Sequence, residues 1–441
     1  MRLAAGSGKV LQRVASCGAG HKFPAQIAGR DPAVRGLCAA GRDVLHLGFG
    51  ESRFPVPAAV VAALREHAAE RSYLPVLGLP ELRAAIAAFY GRHFGLQVAA
   101  EQVVIGPGSK ALLMALALAT EGTMLLPTPA WVSYAPQAQL ARRSVVAVPM
   151  DPAAGYVLDP ERLQHALQTA AANWQRPDML LLNTPGNPLG SAQSAEALQA
   201  CAEFARRNRL MVVSDEIYSL TAHNARGSAS MAAHYPEGTV VTGGLSKHLS
   251  LGGWRFGVAI LPPGAAGREL AAALQIVAGE IWSCVAAPVQ HAALAAYAAD
   301  PAIAQHIAHS ARLHGARTRV LHSVLQEFGV PCPLPDAGFY LYPNFERWRA
   351  VLAQRNVHTS AQLAAHLLEK HSIATLPGSA FHDDALTLRL SSSYLDTEQP
   401  AGGAEVFAAF ARDADDCINH AHPRLQRAAA ALAEFISGLG S

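Results

Sequence analysis

The chain has 441 residues, beyond the roughly 250–300 at which one hydrophobic core stops growing, so two domains are expected. A formal charge of +2 supplies no basic field for a nucleic-acid backbone, and no apolar run reaches the roughly 18 residues a membrane span needs. The six cysteines, Cys17, Cys38, Cys201, Cys284, Cys332 and Cys417, contain no C-x-x-C pair, which argues against a disulfide framework or zinc site and for a reducing, cytoplasmic compartment.

The first 30 residues carry Arg2, Lys9, Arg13, Lys22 and Arg30 and no acid. They are expected to form a loose N-terminal arm, a composition that would also suit a transit peptide in a eukaryotic source. Gly6-Ser7-Gly8-Lys9 is similar to part of a phosphate loop, but the first glycine of that motif is missing and Val10 replaces its Ser/Thr. Residues 1–56, with Leu47-Gly48-Phe49-Gly50-Glu51, are too few for a core and are expected to pack with the C-terminal part.

Residues 57–300 form the expected large domain. Apolar runs at Val103–Gly106, Met124–Pro127, Val145–Met150, Met179–Asn183, Leu210–Asp215, Thr239–Thr242 and Phe256–Leu261 alternate with helical patterns such as Glu196–Asn208. That alternation predicts an α/β fold with a largely parallel seven-stranded sheet. Residues 301–441 predict a smaller α+β domain: a long helix through Ala311–Glu327, strands around Gly338–Tyr342 and Thr387–Leu390, then closing helices.

Ligands of an open α/β sheet collect at the carboxyl ends of its strands, and four unusual segments fall there. Val103-Val104-Ile105-Gly106-Pro107-Gly108-Ser109-Lys110 reads as strand, small-residue turn and helix start, an anion site by virtue of its free N–H groups, although ordinary helices open the same way. Asn183-Thr184-Pro185-Gly186-Asn187-Pro188-Leu189-Gly190 suits either a plain turn or a rigid loop presenting the Asn187 amide. Asp215 ends an apolar run, with Tyr218 three residues later; it either caps a turn or sets a carboxylate against a pyridinium nitrogen. In Gly243-Gly244-Leu245-Ser246-Lys247-His248-Leu249-Ser250-Leu251-Gly252-Gly253-Trp254-Arg255 an amine and a guanidinium can meet one phosphate-bearing ligand, as a Schiff-base cofactor requires; a solvated turn lysine is the alternative.

Together these segments resemble the fold type I, class I/II aminotransferases that use pyridoxal 5'-phosphate, the group around aspartate aminotransferase, from Gly48 to Arg389 in the family's order and spacing. The resemblance implies that Lys247 binds the cofactor covalently and shuttles the substrate's α-proton, that Asp215 partners the ring nitrogen, and that Tyr218 and Asn187 bind the ring O3'. It implies phosphate ligands in Arg255, Ser246, Gly108, Ser109 and Lys110, and a stacking ring in Trp131 of Thr128-Pro129-Ala130-Trp131. Tyr73, in Tyr73-Leu74-Pro75-Val76-Leu77-Gly78, is similar to a tyrosine that reaches the neighbouring subunit's phosphate, which implies a homodimer with shared sites. Arg389 resembles the arginine that forks onto the substrate α-carboxylate, with Gly50 and Asn187 close to the substrate. One position departs: the family often has a phosphate-binding serine where this chain has Gly244.

The reaction so implied is ping-pong transfer of an amino group between an L-amino acid and a 2-oxo acid. Dicarboxylate-specific relatives often carry a further arginine past the lysine; between Phe256 and Ala311 this chain has only Arg268, and Ile281-Trp282-Ser283 occupies the corresponding region. A neutral or aromatic donor is therefore expected in preference to aspartate. The same constellation also serves lyases, synthases and oxidases acting on amino acids. A ligand-sensing transcription regulator would need a winged-helix module before Gly48, and no helix-turn-helix pattern is present there.

Overall fold

The computed structural model describes residues 32–224 and 227–440. The expectations for the basic N-terminal arm and for Gly6–Lys9 lie outside the described residues.

β1 (Leu45–His46) precedes the main sheet, whose strands are β2 (Val103–Gly106), β3 (Thr123–Thr128), β4 (Ser144–Pro149), β5 (Pro177–Asn183), β6 (Met211–Asp215), β7 (Thr239–Gly244) and β8 (Gly257–Ile260). They lie in the order β2-β8-β7-β6-β5-β3-β4, all parallel except β8, which runs antiparallel to both of its neighbours. Every residue of β2, β3, β7 and β8 is buried. That explains their unbroken Val/Ile/Leu runs, since a strand covered on both faces has no solvent side to alternate toward. Along β2 the side chains part by face: Val103 and Ile105 join a core with Phe256, Leu249 and Tyr297, while Val104 joins one with Leu112, Val213 and Leu274.

The connecting helices carry their own signals. Ser194 caps the helix Ala195–Arg207 by accepting from the Ala197 N–H, and Asp300 does the same for Ala302 ahead of Pro301–Glu327. The Asp-Pro pair therefore starts the long helix well before the expected Ala311, because the cap and a proline at the first helical position satisfy what the apolar periodicity alone does not reveal. Beyond it, β9 (Tyr340–Leu341), β10 (Ile373–Ala374), β11 (Leu376–Pro377) and β12 (Leu388–Ser391) form two small sheets. β11-β12-β9 is antiparallel, and β10 pairs with β1 in parallel. Leu45 and Leu47 are buried with Leu321, Leu390, Leu432 and Phe435, so the segment around β1 shares the C-terminal core.

Because β8 alone is reversed, the carboxyl ends of β2, β3, β5, β6 and β7 and the start of β8 lie along one edge of the sheet. Across that edge Asn183 pairs with Asp215, Asp215 with Thr242, and Gly257 with both Gly244 and Gly106.

Candidate active site

A cavity of about 480 Å³ opens over this edge, lined by Gly50, Ser109, Lys110, Trp131, Asn187, Asp215, Tyr218, Ser246, Lys247, Arg255 and Arg389 among others. These come from seven places in the chain, and the fold brings them together. Gly108, at φ +89°, caps the helix Ser109–Ala119, and a Cβ there would strike the Arg255 guanidinium, so the helix start and Arg255 lie side by side. Arg255 is held there by donation from Nη1 to the Gly252 carbonyl at 2.8 Å.

Lys247 follows β7 and donates from Nζ to the Gly50 carbonyl at 2.6 Å, with the rings of Tyr218 and Phe339 at 5.3 and 5.8 Å. Asp215 ends β6 and is wholly enclosed. Burial raises its carboxyl above the ordinary carboxylate range, opposed by hydrogen bonds from the Tyr134 hydroxyl to Oδ2 at 2.8 Å and from Thr242 Oγ1 to Oδ1 at 3.2 Å, and by the charge of Lys247. Burial likewise lowers the Lys110 ammonium, helped by repulsion from Arg255 and Lys247. Its Nζ stands 4.9 Å from the centre of the Trp131 ring.

Arg389 projects from β12 and is buried, which pulls its guanidinium below its ordinary value. Nη1 donates to Asn187 Oδ1 at 3.0 Å and Nη2 to the Gly48 carbonyl at 2.7 Å, while Nε has no hydrogen-bond partner among the described residues. Asn187 is fixed in turn by its own N–H, which donates to Asn183 Oδ1 at 2.8 Å. Tyr218 and Tyr340 hydroxyls lie 2.9 Å apart, and burial holds Tyr218 well above the ordinary phenol range.

Tyr73 does not line this cavity; its side chain is 89% exposed. Gly244 has a plain physical reason: at φ +155° an added Cβ would sit 2.5 Å from the Phe256 carbonyl oxygen, so the serine common in the resembling family has no room here. Arg268 is exposed on the helix Gly264–Ile281 and does not line the cavity either.

Four residues of the site went unassigned in the sequence. Tyr134 and Thr242 hold the Asp215 carboxylate, Asn183 holds Asn187, and Tyr340 holds Tyr218. Tyr134 lies one turn beyond Trp131 and Asn183 opens the Asn187 loop, so proximity to recognised motifs was a usable signal. Tyr340 had none beyond its place in an expected strand.

The family model described as aminotransferase class I and II matches residues 42–407. An aspartate aminotransferase of Geobacillus stearothermophilus is 32% identical over 78% of this chain and 86% of its own length. An aspartate/prephenate aminotransferase of Cereibacter sphaeroides is 31% identical over 79% of this chain and 86% of its own. The solved structure of Thermus thermophilus aspartate aminotransferase with maleate superposes with a TM-score of 0.77 at 28% identity, covering 93% of this chain and all of that one. With the fold, the edge-of-sheet cavity and these matches in agreement, the chain belongs to the class I and II aminotransferases.

Proposed function

We propose that this aminotransferase works with pyridoxal 5'-phosphate and takes neutral or aromatic amino donors more readily than aspartate, as a cytoplasmic homodimer with shared sites. The observation that carries the cofactor reading is the convergence of the Lys247 amine, the enclosed Asp215 carboxylate and the Ser109–Arg255 anion turn on one cavity. The donor set fits that group. Asp215 has no ion-pair partner among the described residues, and a protonated ring nitrogen would relieve a carboxyl that burial pushes up. Lys110, Arg255 and Lys247 repel one another around a helix start that favours a phosphate.

When bound, the cofactor supplies an electron sink for the charge left on the substrate α-carbon. Arg389 binds the substrate α-carboxylate through its planar fork, which sets the orientation of the α-carbon. The Lys247 amine would take the α-proton from the substrate and deliver it on the cofactor side, the net shift that turns an amino acid into a 2-oxo acid. Asp215 would hold a proton at the ring nitrogen, and Tyr218 and Asn187 would offer polar atoms to the ring oxygen. Ser246, Ser109 and the Gly108 turn hold the phosphate with Arg255. Tyr73, exposed at the surface, is positioned in this reading to serve a partner's phosphate. In this reading the described residues of 57–300 make the cofactor-binding domain, and those of 32–56 join 301–440 in the smaller one.

The donor preference rests on the aromatic lining of Phe49, Trp131, Tyr134 and Tyr340 and on Arg389 and Arg255 being the only arginines among the described residues that line the cavity. Lys110 favours a second reading, since its ammonium over Trp131 is a cation within reach of a second carboxylate. A donor screen separates them. Rapid turnover of aspartate alone, lost in Lys110→Ala, would support the second and overturn the first. For the cofactor, purified protein is expected to show visible absorbance that borohydride bleaches; Lys247→Ala abolishes both the bleaching and, by on the order of a thousandfold or more, the rate. Persistence of the bleachable band in that variant sinks the reading. Ammonia release without a ketoacid would favour a lyase or oxidase.

A further inference from the structure

Tyr340, on β9, lines the cavity and is only 1% exposed. It touches three parts of the site at once. Its hydroxyl is 2.9 Å from that of Tyr218, the rings meeting edge to face at 5.5 Å. Its ring face lies 4.6 Å from the Arg389 guanidinium carbon. A Cβ on Gly50 would strike its hydroxyl oxygen, so the glycine whose carbonyl receives Lys247 is small because Tyr340 fills the space.

Two phenols in one hydrogen bond have two protons between them and need only one for that bond. If Tyr340 donates, the Tyr218 proton is free to point at a ligand oxygen. If Tyr218 donates, that proton is spent. We propose that Tyr340 is a positioning residue: its hydroxyl donates to Tyr218, freeing and strengthening Tyr218 as a donor to the ring oxygen, and its ring face orients Arg389 for the substrate carboxylate. This rests on the pyridoxal phosphate reading.

The consequence is spectroscopic. Donation to an anionic ring oxygen disperses the charge that helps hold a proton on the neighbouring Lys247 nitrogen. Weakening that donation raises the pH at which the proton leaves. In Tyr340→Phe holoenzyme the pH midpoint of the visible absorbance change should rise by about half a unit to one unit. The ring remains, so KM for the amino donor should stay within about twofold. Tyr340→Leu removes the ring as well, and KM should rise about 3- to 30-fold. Tyr218→Phe should raise the midpoint on its own, and adding Tyr340→Phe to it should raise it no further, because the second hydroxyl acts through the first.

Three results would overturn the proposal: an unchanged midpoint in Tyr340→Phe, a lowered one, which would mean that Tyr218 is the donor, or an equal shift in the Tyr218→Phe background. Thermal unfolding of each variant shows whether it is folded. If Tyr340→Phe were not, the KM of a folded Tyr340→Leu would still test the ring's role, an unchanged value counting against it. Wild-type protein without any borohydride-bleachable band would instead refute the cofactor reading, so the two failures are distinguishable.

Discussion

Asp215 and Arg389 are both buried ionisable groups, and the surroundings of each restrict what can replace it. Asp215 receives two hydroxyl donors and has no ion-pair partner among the described residues, which suits the proposed ring nitrogen. Asp215→Asn keeps the shape and removes the charge. We expect kcat to fall by about a hundredfold or more, as when a fixed group aimed at developing charge is lost. Retention of wild-type kcat would show that ring protonation does not depend on this carboxylate. Arg389 spends its two terminal nitrogens on Asn187 and Gly48. Lysine cannot reproduce that fork, so Arg389→Lys should lose about 2–3 kcal/mol in kcat/KM, most of it in KM, measured in steady-state kinetics with one donor held constant.

At the scale of elements, the end of β6 separates two adjacent carboxylates. Asp215 faces the cavity, while Glu216 turns away and holds the segment before Met231: its Oε1 accepts from Ser214 Oγ, Ser230 Oγ and the Met231 N–H at 2.8, 3.1 and 3.0 Å. Burial pushes Glu216 up to about 7 despite those bonds. Above its unfolded value near 4.5 the folded protein keeps a proton that the unfolded chain has lost. The stability linked to that proton is therefore full below about 4.5 and disappears as pH rises through 7, a span of about 3 kcal/mol. Glu216→Gln should flatten this dependence, so denaturant midpoints at pH 5 and pH 8 differ less than in the wild type. An equal difference in both proteins would place the titration elsewhere.

For the whole molecule, the segment 47–54 joins the N-terminal strand, the lysine loop and the C-terminal core. Gly48 receives Arg389, Gly50 receives Lys247, and Phe49 stacks on Tyr394 at 4.0 Å. Ser52 Oγ lies 2.7 Å from Ser250 Oγ and 2.9 Å from His314 Nε2, tying this segment to the lysine loop and the long helix together. Ser52→Ala would leave the buried His314 ring and the half-buried Ser250 hydroxyl without their shared partner. We expect a loss of about 1–3 kcal/mol in chemical unfolding, with the lysine loop becoming faster in hydrogen exchange. Unaltered exchange there would mean that the tie does not restrain the loop.

The sheet was legible in the chain because most of its strands are buried on both faces and must be written as apolar runs, and each of the seven expected runs overlaps a strand. Local chemistry also made the anion turn, the Asn187 loop, Asp215 and the Lys247 run readable, since each follows directly on its strand. The reversal of β8 was not readable. Nor were the pairings of Asp215 with Tyr134 and Thr242 and of Tyr218 with Tyr340, which join positions 27 to 122 residues apart. Composition and periodicity act on neighbouring residues and therefore determine which elements form and which motifs they carry. Which hydroxyl meets which carboxylate depends on how those elements pack, and only the tertiary structure decided that.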